Sequence, residues 1–137
     1  MAGFTDYLED KVMNHLFGGT AYTAPTTWYV GLLTAAPTDS TAGTEVSGGS
    51  YARQGISWTV TGSGTALAAS NAAITMPAAT TDWGTVTHAG IYDADTGGNL
   101  CAFETLTQSD FSTSNPKTIN SGDIFKIDSG NLKIQLD

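Results

Sequence analysis

Basic side chains are scarce in this sequence. Only Lys11, Arg53, Lys117, Lys126 and Lys133 oppose 13 aspartates and glutamates, leaving a net charge of −8. Phosphate binding needs a concentrated basic footprint, so this balance argues against a nucleic-acid partner and equally against an anionic membrane surface. Cysteine is represented by Cys101 alone. An internal disulfide is therefore excluded, and the apolar stretch around Cys101 reads it as a small buried hydrophobe in a protein folded in a reducing cytoplasm. No apolar run approaches the roughly 20 residues of a membrane span, and the N-terminus has neither the basic leader nor the apolar run expected of a signal peptide.

What the chain has in quantity is threonine, serine, alanine and glycine, which suit turns and solvent-facing strand positions and give helices little help. At 137 residues it is long enough for one domain with a core that needs no disulfide or metal. The expected class is all-β: an antiparallel β-sandwich or jelly-roll-like domain of about eight strands. One short N-terminal helix precedes it, so residues 1–19 are helix and cap and 20–137 the sandwich. In the helix, Phe4, Tyr7, Leu8, Val12 and Leu16 share a face at the 3.6-residue period. Thr5 or Asp6 is placed to cap its start, and Gly18 and Gly19 to stop it. That apolar face is either a cover for the chain's own sheet or a docking element for a neighbouring subunit.

The central feature is a hairpin over residues 83–106. Strand-like residues 86–93 and 100–106 flank a turn at 93–99, whose Asp, Asn and paired glycines tolerate left-handed backbone. Residues 28–34 are apolar on both faces and read as a central strand. A long polar loop covers 35–50, and residues 51–60 alternate, with Ile56, Trp58 and Val60 on one side and Arg53 on the other. Residues 72–76 form a weaker strand. The C-terminus reads as a meander of three strands over 117–120, 123–128 and 131–136, with Leu132, Ile134 and Leu136 inward and Asn131, Lys133 and Gln135 outward.

Three segments carry a family resemblance: 23–37 (TAPTTWYVGLLTAAP), 45–54 (EVSGGSYARQ) and 83–93 (WGTVTHAGIYD). In this order they resemble a family of small tailed-bacteriophage virion proteins commonly labelled "tail fibre protein". The resemblance implies a subunit made in the host cytoplasm and carried on the virion, on the tail or the capsid surface. Its partners would be other virion proteins and further copies of itself, with a trimer expected by analogy with phage fibres. Two roles on the virion are then open, a subunit of the tail fibre or tail-tip apparatus or a capsid decoration protein; a module binding a host surface glycan is a third reading, of a different class. In such a subunit Phe4, Tyr7, Leu8, Val12 and Leu16 dock to neighbours. The outward loops 35–50 and 77–83 present Asp39, Glu45, Asp82 and Trp83 for contact.

Enzymatic chemistry finds little support. Asp93, Asp95 and Asn99 supply oxygens in a turn without the spacing or terminal glutamate of a calcium loop, and Asp123 is likewise a turn residue. His88 has only His15 and Cys101 as partners for zinc, without motif spacing. A Cys101–His88 nucleophile lacks any accompanying oxyanion loop. The glycines at 47–50 lack the lysine and the following helix of a phosphate cradle. Glu45 and Glu104 cannot be placed across one cleft as a glycosidase pair. The sequence thus calls for no catalytic residue, no metal and no cofactor. Trp28, Trp58 and Trp83 have faces suited to sugar stacking, yet all lie in or beside apolar strands where a core role is commoner; Trp83, beside a polar loop, is the candidate for a glycan contact.

Overall fold

The computed structural model describes residues 3–62, 66–108 and 112–136, with side chains through Gln135. In chain order the elements are β1 (Gly3–Phe4), α1 (Asp6–Leu16), β2 (Trp28–Ala35), β3 (Thr44–Glu45), β4 (Gln54–Ile56), β5 (Trp58–Thr61), β6 (Ala66–Ser70), β7 (Ile74–Thr75), β8 (Gly84–Val86), β9 (His88–Tyr92), β10 (Leu100–Thr105), β11 (Lys117–Ile119), β12 (Lys126–Ile127) and β13 (Lys133–Leu136). The fold is antiparallel and sandwich-like with one N-terminal helix, as the composition predicts. Its strands are shorter and more numerous than the alternation suggests.

The largest sheet runs β1-β10-β9-β2-β3, with β4 also paired to β2. Strand β2 is central, as its two apolar faces require. Val30 and Leu32 point into the core while Leu33 is buried on the opposite face, all three with no exposed surface. Each such side chain contributes about 1.5–3 kcal/mol by leaving water. The β9–β10 hairpin forms over Asp93–Asn99, where Gly97 (φ 62°) and Gly98 (φ 66°) adopt the left-handed conformation the turn requires. Its first strand begins at His88 rather than Val86. At Thr87 the backbone N–H donates to Leu33 O (2.9 Å), and Val86 belongs instead to β8, which pairs with β11.

The 51–60 alternation is not one strand. It breaks at Ser57, so Ile56 is buried against β2 while β5 joins a second sheet ordered β13-β6-β5. Val60 there is 71% exposed rather than inward. Strand β6, rich in alanine, has no β-propensity signature and is held by its partners on both sides. The C-terminal segments do not form a meander: β11 pairs with β8, β12 with β7 and β13 with β6. The turns at Gly122 and Gly130, both at positive φ, send the chain from one sheet to the next instead of folding it back. Leu132 is buried and Ile134 packs on the core; the side chain of Leu136 lies outside the described residues.

Helix α1 also departs from the expected wheel. Phe4 is not helical but pairs through β1 with Ala102. Thr5 occupies the cap position without capping, because its hydroxyl donates to Leu100 O (2.7 Å) and so ties the helix start to the hairpin. Leu8 is buried and packs the helix against the sheet, Tyr7 and Val12 are half-buried, and Leu16 is 63% exposed. The helix stops before Gly18, where an added Cβ would strike Asn14.

Candidate functional site

Two glycines paired across adjacent strands, Gly31 of β2 and Gly90 of β9, leave a trough on the sheet face opposite the core. Tyr51, Glu45 and Tyr92 fill it. A Cβ at Gly31 would approach Glu45 Oε1 to 2.7 Å, the Tyr51 hydroxyl to 2.8 Å and the Tyr92 ring to 2.9 Å. Over them lies Arg53, the chain's one arginine. Its Nε donates to Glu45 Oε1 (2.8 Å) and its Nη2 to Oε2 (2.7 Å), while Nη1 donates to Ala94 O and Gly97 O, each at 2.8 Å. The guanidinium stacks 3.5 Å from the Tyr92 ring centroid. The Tyr51 hydroxyl donates to Glu45 Oε1 (2.7 Å) and accepts from Leu32 N (2.8 Å). Burial, reinforced by Glu45, pushes the Tyr92 phenol up to about 12 and the Tyr51 phenol higher still.

This cluster joins the three segments on which the family resemblance rests. Tyr51 meets Trp83 edge to face at 5.4 Å between ring centroids, and Trp83 Nε1 donates to Gly49 O (3.0 Å). The polar groups of Arg53, Glu45 and Tyr51 are matched to partners of the same chain. The arrangement is a latch that fixes the segment around Glu45, Tyr51 and Arg53 and the hairpin turn to the central strand.

The expected surface contacts divide accordingly. Asp39 is exposed, and its carbonyl accepts from Asp6 N (3.0 Å), closing the helix start. Asp82 is exposed and its Oδ1 accepts from Ser121 N (2.8 Å). Glu45 and Trp83 are not outward contacts. Glu45 is consumed by the latch, and Trp83 is 6% exposed, a core residue held by Tyr51 and Gly49. Nor does the 35–50 stretch simply face outward, because Val46 is buried and its N–H donates to Leu32 O (2.9 Å). Of the docking set, Phe4 and Leu8 turn inward. Leu16 faces solvent beside Met13 and Phe17, which are 56% and 80% exposed.

The other candidates resolve into structural roles. Asp93 closes its own turn, Oδ1 accepting from Asn99 N (2.7 Å) and Oδ2 from Asn99 Nδ2 (2.9 Å). Asp123 Oδ2 accepts from Asn120 N (2.9 Å) in the same way. Asp95 is exposed at the hairpin tip. Among the described residues no cluster of three or more His, Cys, Asp or Glu side chains is placed to hold a metal. His88 lies between the Thr87 and Thr105 hydroxyls, at 2.8 Å from Nδ1 and 3.2 Å from Nε2, and burial lowers its pKa against the opposing pull of Glu104. Cys101 is the extra residue of a β-bulge between the Leu100–Tyr92 and Ala102–Ile91 pairs. His88 pairs with Thr105, at the other end of the same ladder, so the two do not form a dyad. Burial pushes the thiol up to about 12.

Two grooves flank the small second sheet. Strand alternation sends Ala66, Ala68 and Ile134 to one face and Leu67, Lys133 and Gln135 to the other. The first face borders an apolar groove of about 280 Å3 shared with Phe4, Leu8, Trp28 and Trp58. The second borders a larger groove of about 590 Å3 with a mixed lining that includes Glu104, Asn115, Lys117 and Lys126 beside Leu67, Phe125 and Leu132. Sequence reasoning missed both the Arg53 latch and this larger groove. The first had a signal in a single arginine set among aromatic residues. The second had one in three of the five basic residues falling at positions 117, 126 and 133.

Among the described residues no helix is long and apolar enough to cross a membrane. A search of curated proteins found no match to the chain. A family model described as "Podophage GP4 fiber I protein gp80" matches residues 3–135, nearly the whole length and all three segments that suggested a phage fibre. The chain therefore belongs to the podophage fiber I protein gp80 family, a family of bacteriophage structural fibre proteins.

Proposed function

We propose that this chain is a non-catalytic subunit of the tail fibre or tail-tip apparatus, joining other virion proteins through the exposed end of α1 and making outward contacts with the rest of its surface. The observation that carries this reading is the row Met13, Leu16 and Phe17. These three large apolar side chains stand in water at the C-terminal end of a helix whose N-terminal half is fixed to the sheet at Leu8. Leaving such groups exposed forgoes the free energy of burial that a neighbour restores. A non-catalytic role is supported by the engagement of His88, Cys101 and Glu45 in packing and hydrogen bonds of the fold. Self-association, with three copies expected by analogy, belongs to the same proposal.

Substituting Leu16→Ser together with Phe17→Ser tests it. Both sites are exposed, so folding stability should stay within about 0.5 kcal/mol per site while incorporation into particles falls sharply. Normal incorporation would refute docking through this end. Loss of the fold would assign these side chains to the chain's own core.

A further inference from the structure

The basic residues of this acidic chain are not evenly spread. Lys117, Lys126 and Lys133 line the larger groove, together with the carboxylates of Glu104 and Asp128. In a chain with net charge −8, the described lining of this groove has three lysines to two carboxylates. The walls come from distant parts of the sequence. Lys133 and Gln135 project from β13, Lys117 begins β11, Lys126 begins the short β12 and Asp128 follows it. Lys126 Nζ lies 3.2 Å from Asp128 Oδ1, with the two side chains 54% and 72% exposed. An ion pair this exposed contributes little and exchanges partners readily.

The remaining lining has a mixed chemistry. Gln108, Asn115, Asn131 and Gln135 offer amides, each able both to donate and to accept hydrogen bonds. Leu67, Ala89, Phe125 and Leu132 give apolar surface between them. Ammonium groups for an anion, amides for hydroxyls and an apolar floor for C–H faces match a charged sugar. The groove's volume of about 590 Å3 falls within the usual size of small-ligand sites. A nucleic-acid strand fits less well, because its phosphates want a longer basic track and its bases want several aromatic platforms, whereas Phe125 is the one aromatic side chain in the lining.

We propose that this groove binds a short acidic saccharide, a sugar bearing carboxylate or phosphate groups. The proposal rests on the surface-contact reading only for the setting in which such a sugar is met. Its test uses the purified full chain, so its failure and a failure of particle incorporation are separate results. Isotope-labelled protein is titrated with trigalacturonate, with a phosphorylated disaccharide, with neutral maltotriose and with trithymidylate, and amide resonances are followed. The expected result is saturable shifts at Gln108, Asn115, Lys117, Asn131 and their neighbours with one or both acidic sugars, and none with maltotriose. The two acidic probes distinguish carboxylate from phosphate recognition.

Replacing Lys117→Gln with Lys126→Gln should weaken that binding about tenfold or more, whereas Lys11→Gln, a charge removed from the helix, should leave it unchanged. Both groove lysines are exposed, so the double variant is expected to fold, and the wild-type shift map stands as an independent readout. No groove shifts with either acidic sugar at millimolar concentration would overturn the proposal. Equal response to maltotriose would overturn its charge requirement, and equal response to trithymidylate would reduce the groove to a general polyanion surface and overturn it as a saccharide site.

Discussion

Glu45→Ala removes three hydrogen bonds at once: two from Arg53 (2.8 and 2.7 Å) and one from the Tyr51 hydroxyl (2.7 Å). It also leaves the Arg53 guanidinium, whose side chain is only 8% exposed, without its counter-charge. Breaking a buried pair by deleting one partner costs about 3–5 kcal/mol. The Glu45 side chain keeps 25% of its surface in water, and Arg53 retains the Ala94 and Gly97 carbonyls, so the lower end applies, about 3 kcal/mol. For a chain of this size that lowers Tm by roughly 10 °C. Urea unfolding monitored by tryptophan fluorescence would show a lower midpoint with an unchanged slope. Arg53→Met should cost a similar amount, and the double variant should fall short of the sum by about 2 kcal/mol, because each single change strands the other's partner. A loss below about 1 kcal/mol, the level of an exposed ion pair, or additive single effects would refute the latch.

Three further outcomes follow from the same geometry. Gly31→Ala should destabilise by about 2 kcal/mol or more in the same unfolding assay, since overpacking forces neighbours to shift and Glu45 Oε1, the Tyr51 hydroxyl and the Tyr92 ring would all stand within 2.9 Å of the new Cβ; neutrality would show that the trough is loose. Cys101, fully buried and with its thiol pushed up to about 12 by burial, should resist maleimide in the native state and react at once in denaturant; comparable rates in both would contradict its place in the bulge. His88 has a folded pKa lowered from the usual 6.5, chiefly by burial. The unfolded chain therefore binds the proton first, so the stability His88 contributes is complete above 6.5 and is lost as pH falls through that value toward the folded pKa. His88→Gln should flatten this part of the stability–pH curve, and an unchanged slope would assign it elsewhere.

The central strand and the hairpin were legible because their signals are local: β2 is apolar on both faces, and the 93–99 turn is written in Asp, Asn and paired glycines. The helix was legible in extent but not in role. The 3.6-residue period places Phe4 and Leu16 together, whereas the β1 pairing removes Phe4 from the helix, and burial holds at Leu8 but is lost at Leu16. Strand partners were the least legible feature. The alternation of 131–136 marks a strand, yet nothing local says that β13 pairs with alanine-rich β6, some 65 residues away, rather than with β12 beside it. The same limit hid the latch. Arg53 looked like a solvent-facing strand position until Glu45, Ala94 and Gly97 converged on it from three segments. Likewise Lys133 and Gln135 do face away from the core, but into a groove whose other walls are far away in sequence.

Membership of a phage fibre family makes position on the particle the central question. Immunogold electron microscopy of purified virions, with antibody raised against this chain, addresses it most directly. Gold at the tail end, in fibres or tip, is the predicted result. Gold distributed over the head would make the chain a decoration protein and contradict the proposal, and its absence from intact virions while abundant in infected cells would contradict a virion role altogether.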